Sequence, residues 1–589
     1  MPTVYPIVMG RQAVIATQHY LSAAAGARIF ARGGNAIDAA VAGTFVEGVV
    51  NPHMHTIGGE APMLIYSADA RRVVAINGNM TAPARATIEH FRSLGKDLIP
   101  GYGLLAAGVP AALGALLTAL SEFGTMPLGA VLEPALELAE SGFPMHVGLC
   151  GEPIVEGDKF QAGAGASIRS YAERFRTEWP SSARVYLPNG EIPNPGDIIK
   201  NPALAVFFRR LLDSESAAKA RGRRAALEAA RDRFYRGDIA RDIVAWSDAQ
   251  GGLLGPEDLA NFTSRIEAPP SVEYRGVTVF KCGPWSQGPV FLQQLRVLEG
   301  FDLRAMRHNS ADYIHTVVES AKLAFADREA YYADPEFTRV ALDALLAPRY
   351  AELRRALIDP RHASLEQRPG DPLAMRALRA GGAGETRPWG AGTVHVTACD
   401  RAGNLIAVTA SGGWIPSSPV IESLGFPLGT RMQTFYLDEN HPNSLVPGKR
   451  PRTTLSPSLA MRAGEPYLAF GTPGGDQQDQ WTLEFFLNLA EFGMDLQQAI
   501  EAPKFSTPHF ASTFYPHNAM PGVLRVEDRI DAAVRADLAA RGHQIDLRPP
   551  WSEGHVLAVS VDRARGLVQG GCDPRGQAKP VMPAQVIGW

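Results

Sequence analysis

The strongest constraint on the fold is an abrupt change in sequence character between Arg376 and Thr393. From Arg376 to Gly392 the chain strings together glycine, alanine, proline and charged residues with no apolar period, which is typical of an exposed linker. Directly after it, Thr393–Asp400 alternates between two faces, a polar turn follows, and Leu405–Ala410 returns as an apolar strand. The sequence therefore predicts a flexible segment that leads straight into a β-hairpin.

The period of two within the first strand also predicts which side chains share a face. It places Thr393, His395 and Thr397 on one face, and the small apolar residues that alternate with them on the other. His395 shares that face with Thr393, and we expect a core histidine or one that supports the site, because the α-amine of Thr393 would already fill the role of base.

Elsewhere the chain predicts a mixture of helices and strands. Apolar residues recur at helical spacing in Tyr20–Ala31 and Ala36–Val50, and the glycine-rich turn between them predicts a pair of antiparallel helices. Two short apolar runs, Met63–Tyr66 and Val73–Ile76, predict a hairpin, and Pro466–Phe470 predicts another strand. Between about residue 125 and residue 380 the pattern is mostly helical.

Composition narrows the class of protein. The 589 residues, 46% of them hydrophobic and 20% charged, are ordinary for a globular chain but too many for a single small core. A net charge of -4 gives no basic surface for nucleic acid or an anionic membrane, so we expect a small-molecule partner. The 4 cysteines lie far apart and form no zinc or disulfide pattern. Such cysteines are typical of a reduced, cytosolic protein, and the first thirty residues show no secretory signal, so we expect a cytoplasmic location.

One uncharged segment, Gly101–Leu120, is long enough to cross a bilayer. It consists mostly of alanine and glycine, carries Pro110 in its middle and lacks a flanking basic cluster, so its drive to insert is weak. The segment therefore predicts a short buried strand followed by a core helix with Pro110 in its first turn.

The junction of Gly392 and Thr393 carries potential chemistry. A threonine hydroxyl is a poor nucleophile unless a base lies beside it, and cutting the chain before Thr393 would free its own α-amine for that role. An α-amine titrates near ~7.7–8.0, so a useful fraction is unprotonated at neutral pH, whereas an amide nitrogen cannot accept the proton. From these residues alone, a threonine that simply opens a strand after a glycine stays the ordinary alternative.

A second segment, Gly471–Asp476, follows a predicted strand and contains Gly474 and Gly475. Consecutive glycine N–H groups, free of side chains, suit the stabilisation of a developing oxyanion. Taken by itself, the same segment is equally typical of a tight turn.

Together, several ordered segments resemble the γ-glutamyltranspeptidase family of N-terminal-nucleophile (Ntn) hydrolases, over most of the chain. The matching segments are Gly33–Ala40, Ile57–Gly59, Thr81–Pro83, Gly392–His395 with Asp400 and Gly403–Asn404, Pro451–Pro457, and Pro473–Gly475. The resemblance implies an α+β fold, a four-layer αββα sandwich, whose precursor cuts itself between Gly392 and Thr393. The products would be a large subunit of residues 1–392 and a small subunit of residues 393–589.

The resemblance also implies roles for individual residues. Thr393 corresponds to the nucleophile and its freed amine to the base, while the N–H groups of Gly474 and Gly475 correspond to the oxyanion hole. Ser411 falls where the family has a hydroxyl close to the nucleophile. No cofactor or metal is implied, and the expected partners are a small amide substrate and the two subunits of one precursor.

Departures from the family pattern bear on the substrate. Thr453 and Thr454 stand where the family usually has two serines that contact the substrate. Family members that bind a γ-glutamyl group hold its α-carboxylate with an arginine, but Asn79 occupies that position. They bind the α-amine with amide and acidic groups, whereas Arg431 stands in the aligned run, and its guanidinium suits a carboxylate. A role for Arg431 as a structural ion-pair partner stays open.

These departures favour the amidohydrolase and acylase branches of the family, with a small amide bearing a carboxylate as substrate, as for an oxamate amidohydrolase. A true γ-glutamyltransferase or glutathione hydrolase is the alternative, and a non-catalytic binding member is a second. A homo-oligomer stays open. His53 and His55 alternate on one face and could chelate zinc, but no third ligand lies nearby in sequence, so pocket lining or structural hydrogen bonding is the favoured role.

Overall fold

Two large antiparallel sheets form the centre of the molecule. The computed structural model describes residues 2–151, 166–377, 392–575 and 583–589. In spatial order, the strands of the first sheet are Gln585–Gly588, Ala13–Thr17, Thr393–Asp400, Leu405–Ser411, Met63–Ser67, Arg72–Asn77 and Arg265–Glu267. Those of the second sheet are Val8–Gly10, Leu567–Cys572, Leu557–Asp562, Glu465–Gly471, Ser458–Arg462, Val277–Lys281 and Ser271–Tyr274.

The two sheets pack face to face. Val14, Leu64 and Leu405 of the first sheet join Leu459 and Val559 of the second in one buried apolar cluster. Because each sheet also carries a layer of helices on its outer face, the strands of both sheets are buried on two sides. This burial explains why the strand at Thr393 alternates between two faces that are both excluded from water.

Helices cover the outer face of the first sheet in one continuous core. They are Tyr20–Ala31, Ala36–Val50, Ala112–Phe123, Leu128–Ser141, Val147–Cys150, Ile168–Thr177, Pro180–Tyr186, Pro202–Ala218, Arg223–Tyr235, Asp238–Ala249 and Pro256–Ala260. The helix Ala36–Val50 is buried along its whole length, and Asn35 caps it by accepting hydrogen bonds from the N–H groups of Ile37 and Asp38.

A second helical layer covers the other sheet. It comprises Pro289–Leu298, Leu303–Met306, Ala311–Tyr331, Gln478–Ala490, Leu496–Glu501 and Ala532–Ala540. Three more helices lie outside these two layers: Ile88–Ser93, Leu342–Leu345 and Pro348–Arg355. The remaining strands form small sheets, which are Phe505–Ser506 with Val523–Glu527 and Gln544–Arg548, Phe143–Pro144 with Ile198–Ile199, and Gly370–Asp371 with Arg376–Ala377. The arrangement is the predicted αββα sandwich.

Several local predictions are confirmed. The paired helices, the hairpin that begins at Met63, the strand that includes Pro466–Phe470 and the hairpin that begins at Thr393 all form as expected. Val394, Val396 and Ala398 face the helices, as the period of two predicts. His395 faces the second sheet, where a Cβ atom on Gly471 would lie 2.3 Å from its ring.

Three local predictions are wrong or incomplete. The stretch described as mostly helical contains the strands Arg265–Glu267, Ser271–Tyr274 and Val277–Lys281, whose alternation around a tight turn is a β signal. The predicted linker at 376–392 begins with two residues in a short strand, and residues 378–391 lie outside the described ranges.

The uncharged segment Gly101–Leu120 also differs from its prediction. Its helix begins at Ala112, after Pro110, and the expected strand is a 3₁₀ turn at Leu104–Ala106. The reason is that the N–H groups of both Ala111 and Ala112 donate to the carbonyl of Gly59, which fixes the chain before the helix starts. Among the helices of the described ranges, none has the length and apolarity that a bilayer crossing requires.

The proposed boundary between subunits runs through the middle of the first sheet. The strand that begins at Thr393 lies between Ala13–Thr17 on one side and Leu405–Ser411 on the other. Strands from before the junction and strands from after it thus lie side by side in one sheet. The nucleophile candidate lies at the end of a central strand rather than on a loop.

Candidate active site

Thr393 is buried at the first position of its strand, directly opposite Ser411 in the antiparallel register. Its hydroxyl donates a hydrogen bond to Ser411 Oγ over 3.2 Å. The structure therefore brings a second hydroxyl close to Thr393, at the position where the family resemblance implies one. Strand pairing fixes both backbones, so the two hydroxyls are held together before any substrate binds.

The Gly392 carbonyl, on the N-terminal side of Thr393, is held by two side-chain donors. Ser411 Oγ donates one hydrogen bond to it, and the Trp414 indole Nε1–H donates another over 2.6 Å. A Cβ atom at residue 392 would lie 2.5 Å from the His53 carbonyl oxygen and 2.6 Å from Met54 Cα. Only glycine fits this close approach of two backbones.

Gly474 and Gly475 lie in the turn between the strand Glu465–Gly471 and the helix Gln478–Ala490. Gly474 has φ 127°, and a Cβ atom there would lie 2.1 Å from the Trp481 ring, so this position requires glycine. Within the described ranges, neither N–H group donates a hydrogen bond. Two free donors before a helix N-terminus are suited to an anionic oxygen.

Asp476 holds this turn in place. Its carboxylate accepts a hydrogen bond from Arg328 Nη1 over 2.5 Å, and others from the Thr513 N–H and hydroxyl over 3.0 and 2.6 Å. Phe514, which follows Thr513, lies 3.2 Å from the place that a Cβ atom of Gly475 would occupy. Its ring centroid is 6.3 Å from that of Trp414. Phe514 therefore packs against both the glycine turn and the Trp414 ring.

Arg431 is buried beside Glu60, with 2.9 Å between Arg431 Nε and Glu60 Oε1. Its guanidinium carbon lies 5.0 Å from the Trp414 ring centroid and 5.2 Å from that of Phe514. The structural ion pair that the sequence left open thus exists, although Nη1 and Nη2 make no hydrogen bond within the described residues. Burial raises the pKa of Glu60, and the adjacent Arg431 charge opposes that rise.

The other three predicted substrate-binding residues are Thr453, Thr454 and Asn79, and they differ in whether their polar atoms are already hydrogen-bonded. Thr453 Oγ1 donates to Glu60 Oε1 over 2.8 Å, so its hydroxyl is already engaged. Thr454 Oγ1 is buried with no partner among the described residues. The Asn79 amide N–H donates to the Pro451 carbonyl, and only its Oδ1 is without a partner in the described ranges.

The histidines near the junction do not supply a base. Burial, and to a smaller extent the charge of Lys281, lowers the pKa of His395 to about 3, and its Nδ1 lies 3.0 Å from Thr409 Oγ1. Both ring nitrogens of His53 lack a hydrogen-bond partner within the described ranges. Among the described residues, the potential metal ligands that converge are His315, Glu319 and His543, and neither His53 nor His55 belongs to that group.

Glu60 and Trp414 are the important site residues that the sequence-based prediction missed. Glu60 pairs with Arg431 and accepts a hydrogen bond from Thr453. The signal in the sequence was an acidic residue directly after the Gly58–Gly59 motif. Trp414 follows Gly412 and Gly413 after the strand that ends at Ser411. A large aromatic beside a pair of glycines gives no indication from sequence of what its N–H will bind.

Comparisons with known proteins show which family the chain resembles. The family model Gamma-glutamyltranspeptidase matches residues 22–582. The glutathione hydrolase-like YwrD proenzyme of Bacillus subtilis (strain 168) is 31% identical over 578 residues, 98% of this chain and 99% of the relative. The acylase ACY 1 proenzyme of Pseudomonas sp. (strain SE83) is 33% identical over 587 residues, 97% and 94% of the two chains.

A solved structure, that of LmbA2991HD, is 42% identical, covers 100% of both chains and superposes with a TM-score of 0.91. The family match spans both sheets and both helical layers, and two relatives above 30% identity cover nearly the whole chain. The chain therefore belongs to the γ-glutamyltranspeptidase family of Ntn hydrolases and is an enzyme with the αββα fold.

Proposed function

We propose that the chain is a precursor that cuts itself between Gly392 and Thr393 and then acts as an amide hydrolase through Thr393. The observation that carries the proposal is the geometry at the junction: the Thr393 hydroxyl is bonded to Ser411, and Ser411 and Trp414 hold the carbonyl that Thr393 would attack. The relatives YwrD and ACY 1 are both called proenzymes, which supports a cut precursor.

In the mature enzyme the freed α-amine of Thr393 is the general base. It accepts the hydroxyl proton while Thr393 Oγ1 attacks the substrate carbonyl carbon, and the glycine turn stabilises the oxyanion with the N–H groups of Gly474 and Gly475. Collapse of this intermediate expels the amine and leaves an acyl ester on Thr393. Water, activated by the same α-amine, then releases the acid and restores the hydroxyl.

The substrate we propose is a small amide whose acyl part carries a carboxylate. Arg431 shares its charge with Glu60 through Nε but keeps Nη1 and Nη2 without partners in the described residues, and Thr454 Oγ1 is likewise unpaired and buried. Charge-assisted hydrogen bonds of this kind are worth ~1.5–3 kcal/mol each. Asn79 is uncharged and its amide is bonded to a backbone carbonyl, so this side chain offers no cation to the carboxylate of an amino-acid head group.

Two variants test the cut and the nucleophile together. Thr393→Ala is expected to remain a single uncut chain and to lose turnover by on the order of 10⁴-fold or more, because it removes the attacking oxygen from both reactions. Thr397→Ala is the matched control, since Thr397 lies on the same face of the strand and its hydroxyl bonds only to the Ile406 carbonyl within the described residues. It should be cut and active. Intact mass and turnover on a panel of small amides are the measurements.

A cut, active Thr393→Ala protein would remove the proposed nucleophile. A wild-type protein that stays uncut yet turns substrate over would remove the self-processing model as a whole. A correctly cut protein with no activity on any amide would instead support the alternative of a non-catalytic binding member.

A glutathione hydrolase or γ-glutamyltransferase is the second candidate function, supported by the name of the relative YwrD, which is described as glutathione hydrolase-like. The acylase relative supports the first candidate. Parallel assays with a γ-glutamyl anilide and with an acyl anilide that bears a carboxylate but no amino group separate them. Turnover of the γ-glutamyl compound alone would favour the second candidate. The predicted cytoplasmic location is a further proposal, which fractionation of cells would test.

A further inference from the structure

Trp414 has an arrangement that the turnover mechanism does not explain. Its indole N–H donates to the carbonyl of Gly392, the residue on the far side of the proposed cut, and not to any group that the mature enzyme needs for catalysis. The side chain is fully buried, with 1% of its surface exposed. A buried indole N–H needs a partner, and here the partner is the one carbonyl oxygen that would become an oxyanion during cleavage.

The uncut chain needs its own stabilisation of charge at this oxygen. Before cleavage the nitrogen of Thr393 is an amide, so the base that serves turnover does not yet exist, and the first step depends more heavily on the donors around the carbonyl. The glycine turn is not among the partners of the Gly392 carbonyl in the described ranges, whereas Ser411 and Trp414 both are. The donors for cleavage and those for turnover are therefore different groups.

We infer that the Trp414 indole N–H is a catalytic hydrogen-bond donor for the maturation cut, forming with Ser411 an oxyanion site separate from Gly474 and Gly475. The inference rests on the proposed self-processing function. Single oxyanion donors in hydrolases contribute on the order of 10²–10³ in rate, so loss of the indole N–H is expected to slow maturation by about that factor.

The chemistry balances without any added cofactor. Thr393 Oγ1 forms a bond to the Gly392 carbonyl carbon, and the electrons of the C=O double bond move onto the oxygen that faces Trp414. The hydroxyl proton passes to Ser411 Oγ, which delivers its own proton to that oxygen. The C–N bond then breaks as that oxygen gives up its proton to the nitrogen, which becomes the α-amine, and the C=O double bond of the ester forms. Water finally hydrolyses the ester, giving the Gly392 carboxylate and a free Thr393 hydroxyl.

The packing around the indole keeps its N–H pointed at this carbonyl. The Arg431 guanidinium lies over one ring face with its carbon 5.0 Å from the ring centroid, and Phe514 packs at a centroid distance of 6.3 Å. Arg431 is in turn fixed by Glu60. Because the indole is wedged between these groups, little conformational freedom remains to be lost when the oxyanion forms.

The test follows cleavage of the full-length chain after pulse-labelled cell-free synthesis, with intact mass and denaturing gels as the readout. Trp414→Phe removes the N–H but also shrinks the ring system. Trp414→benzothienylalanine, introduced by genetic code expansion, replaces the N–H with sulfur and keeps the two-ring shape and its stacking on Arg431. Both variants are expected to mature on the order of 10²-fold more slowly than wild type.

A matched control is Trp285→Phe. Trp285 is equally buried, and its indole N–H donates over 2.7 Å to Glu267 rather than to the junction. This variant loses the same kind of hydrogen bond in the same kind of environment, and it should mature at the wild-type rate. Equal slowing in Trp285→Phe would show that loss of stability, rather than loss of the donor, delays cleavage.

The outcomes separate this inference from the proposed function. If the wild-type chain is not cut between Gly392 and Thr393, the self-processing function fails. If the wild type is cut there and the benzothienylalanine variant is cut just as fast, the donor role of Trp414 fails and the proposed function stands. Slow cleavage in Trp414→Phe with normal cleavage in the shape-conserving variant would likewise overturn the inference, because shape alone would then matter.

Discussion

In the reactions that we propose, two places in the molecule offer hydrogen-bond donors to a carbonyl oxygen, and they are built from different parts of the chain. At the Gly392 carbonyl the donors are the side chains of Ser411 and Trp414. In the glycine turn they are the backbone N–H groups of Gly474 and Gly475, which are free within the described ranges. Side-chain donors disappear with one substitution, whereas backbone donors disappear only if the turn changes shape. Cleavage and turnover should therefore be separable by mutation.

The two places also differ in how they are supported. The first depends on strand pairing between Thr393 and Ser411 in a central sheet. The second depends on a buried carboxylate, Asp476, which gathers Arg328 and Thr513 around the turn. In the proposed scheme, the reaction that happens once per molecule uses a strand end held by pairing, while the reaction that repeats uses the half-buried glycine turn.

The largest effect on the second place alone is expected from Gly474→Ala. A Cβ atom there would lie 2.1 Å from the Trp481 ring at φ 127°, so the turn must rearrange and move its N–H groups. We expect turnover to fall by on the order of 10²–10³, the range seen when an oxyanion donor is lost, while cleavage proceeds at close to the wild-type rate. Intact mass gives the extent of cleavage, and turnover is normalised to the cut fraction.

Gly493→Ala is the control for this substitution, because Gly493 also has positive φ, 63°, but a Cβ atom there meets nothing within 4 Å. It should lose a little stability and no activity per cut molecule. If Gly474→Ala blocked cleavage as strongly as turnover, the two donor sites would not be independent, and the contrast between them would be wrong.

Local signals in the sequence predicted the elements that carry Thr393. The alternation in Thr393–Asp400 predicted the strand that begins at Thr393, and the family motifs supplied the αββα layers and the hydroxyl of Ser411 beside Thr393. These predictions succeed because strand periodicity and turn chemistry are encoded within a few neighbouring residues. The strands between Arg265 and Lys281 were missed because a long, mostly helical neighbourhood masked a short alternating run.

The contacts of Trp414 and Glu60 could not be predicted in the same way. Trp414 bonds to a residue 22 positions away, and the ion pair of Glu60 and Arg431 joins segments that are far apart in sequence. Such pairings depend on how the sheets and loops pack, which no local pattern reports. Arg431 shows the consequence: the sequence indicated a fixed cation but could not tell whether a buried acid already neutralised it.

The ion pair of Arg431 and Glu60 should affect substrate binding in turnover. Replacing both residues, Glu60→Gln with Arg431→Gln, removes the cation without leaving a buried unpaired charge. Loss of a charge-assisted contact worth ~1.5–3 kcal/mol should raise KM for an amide bearing a carboxylate by about 10- to 100-fold. Steady-state kinetics on that amide, and on the same amide with the carboxylate replaced by a carboxamide, are the measurements.

The neutral amide is the internal control, since it has no charge for Arg431 to bind and its KM should change little. Glu60→Gln alone keeps the cation and should retain the preference for the carboxylate. An unchanged KM for the carboxylate-bearing amide in the double variant would show that Arg431 is only the structural partner of Glu60.

The smallest expected effect is a difference in pH dependence between the two reactions. In the proposed mechanism, turnover needs the α-amine of Thr393 unprotonated, and such amines titrate near ~7.7–8.0, so kcat/KM should rise about 30- to 50-fold between pH 6 and pH 8. His395 cannot produce this rise, because burial lowers its pKa to about 3 and it stays neutral over the whole range. The uncut chain has no α-amine at this position, so its cleavage rate should not follow the same titration. Both rates are measured from pH 5.5 to pH 9, and we expect the inflection in kcat/KM but not in the rate of cleavage. The same inflection in both would mean that a group present before the cut serves as the base.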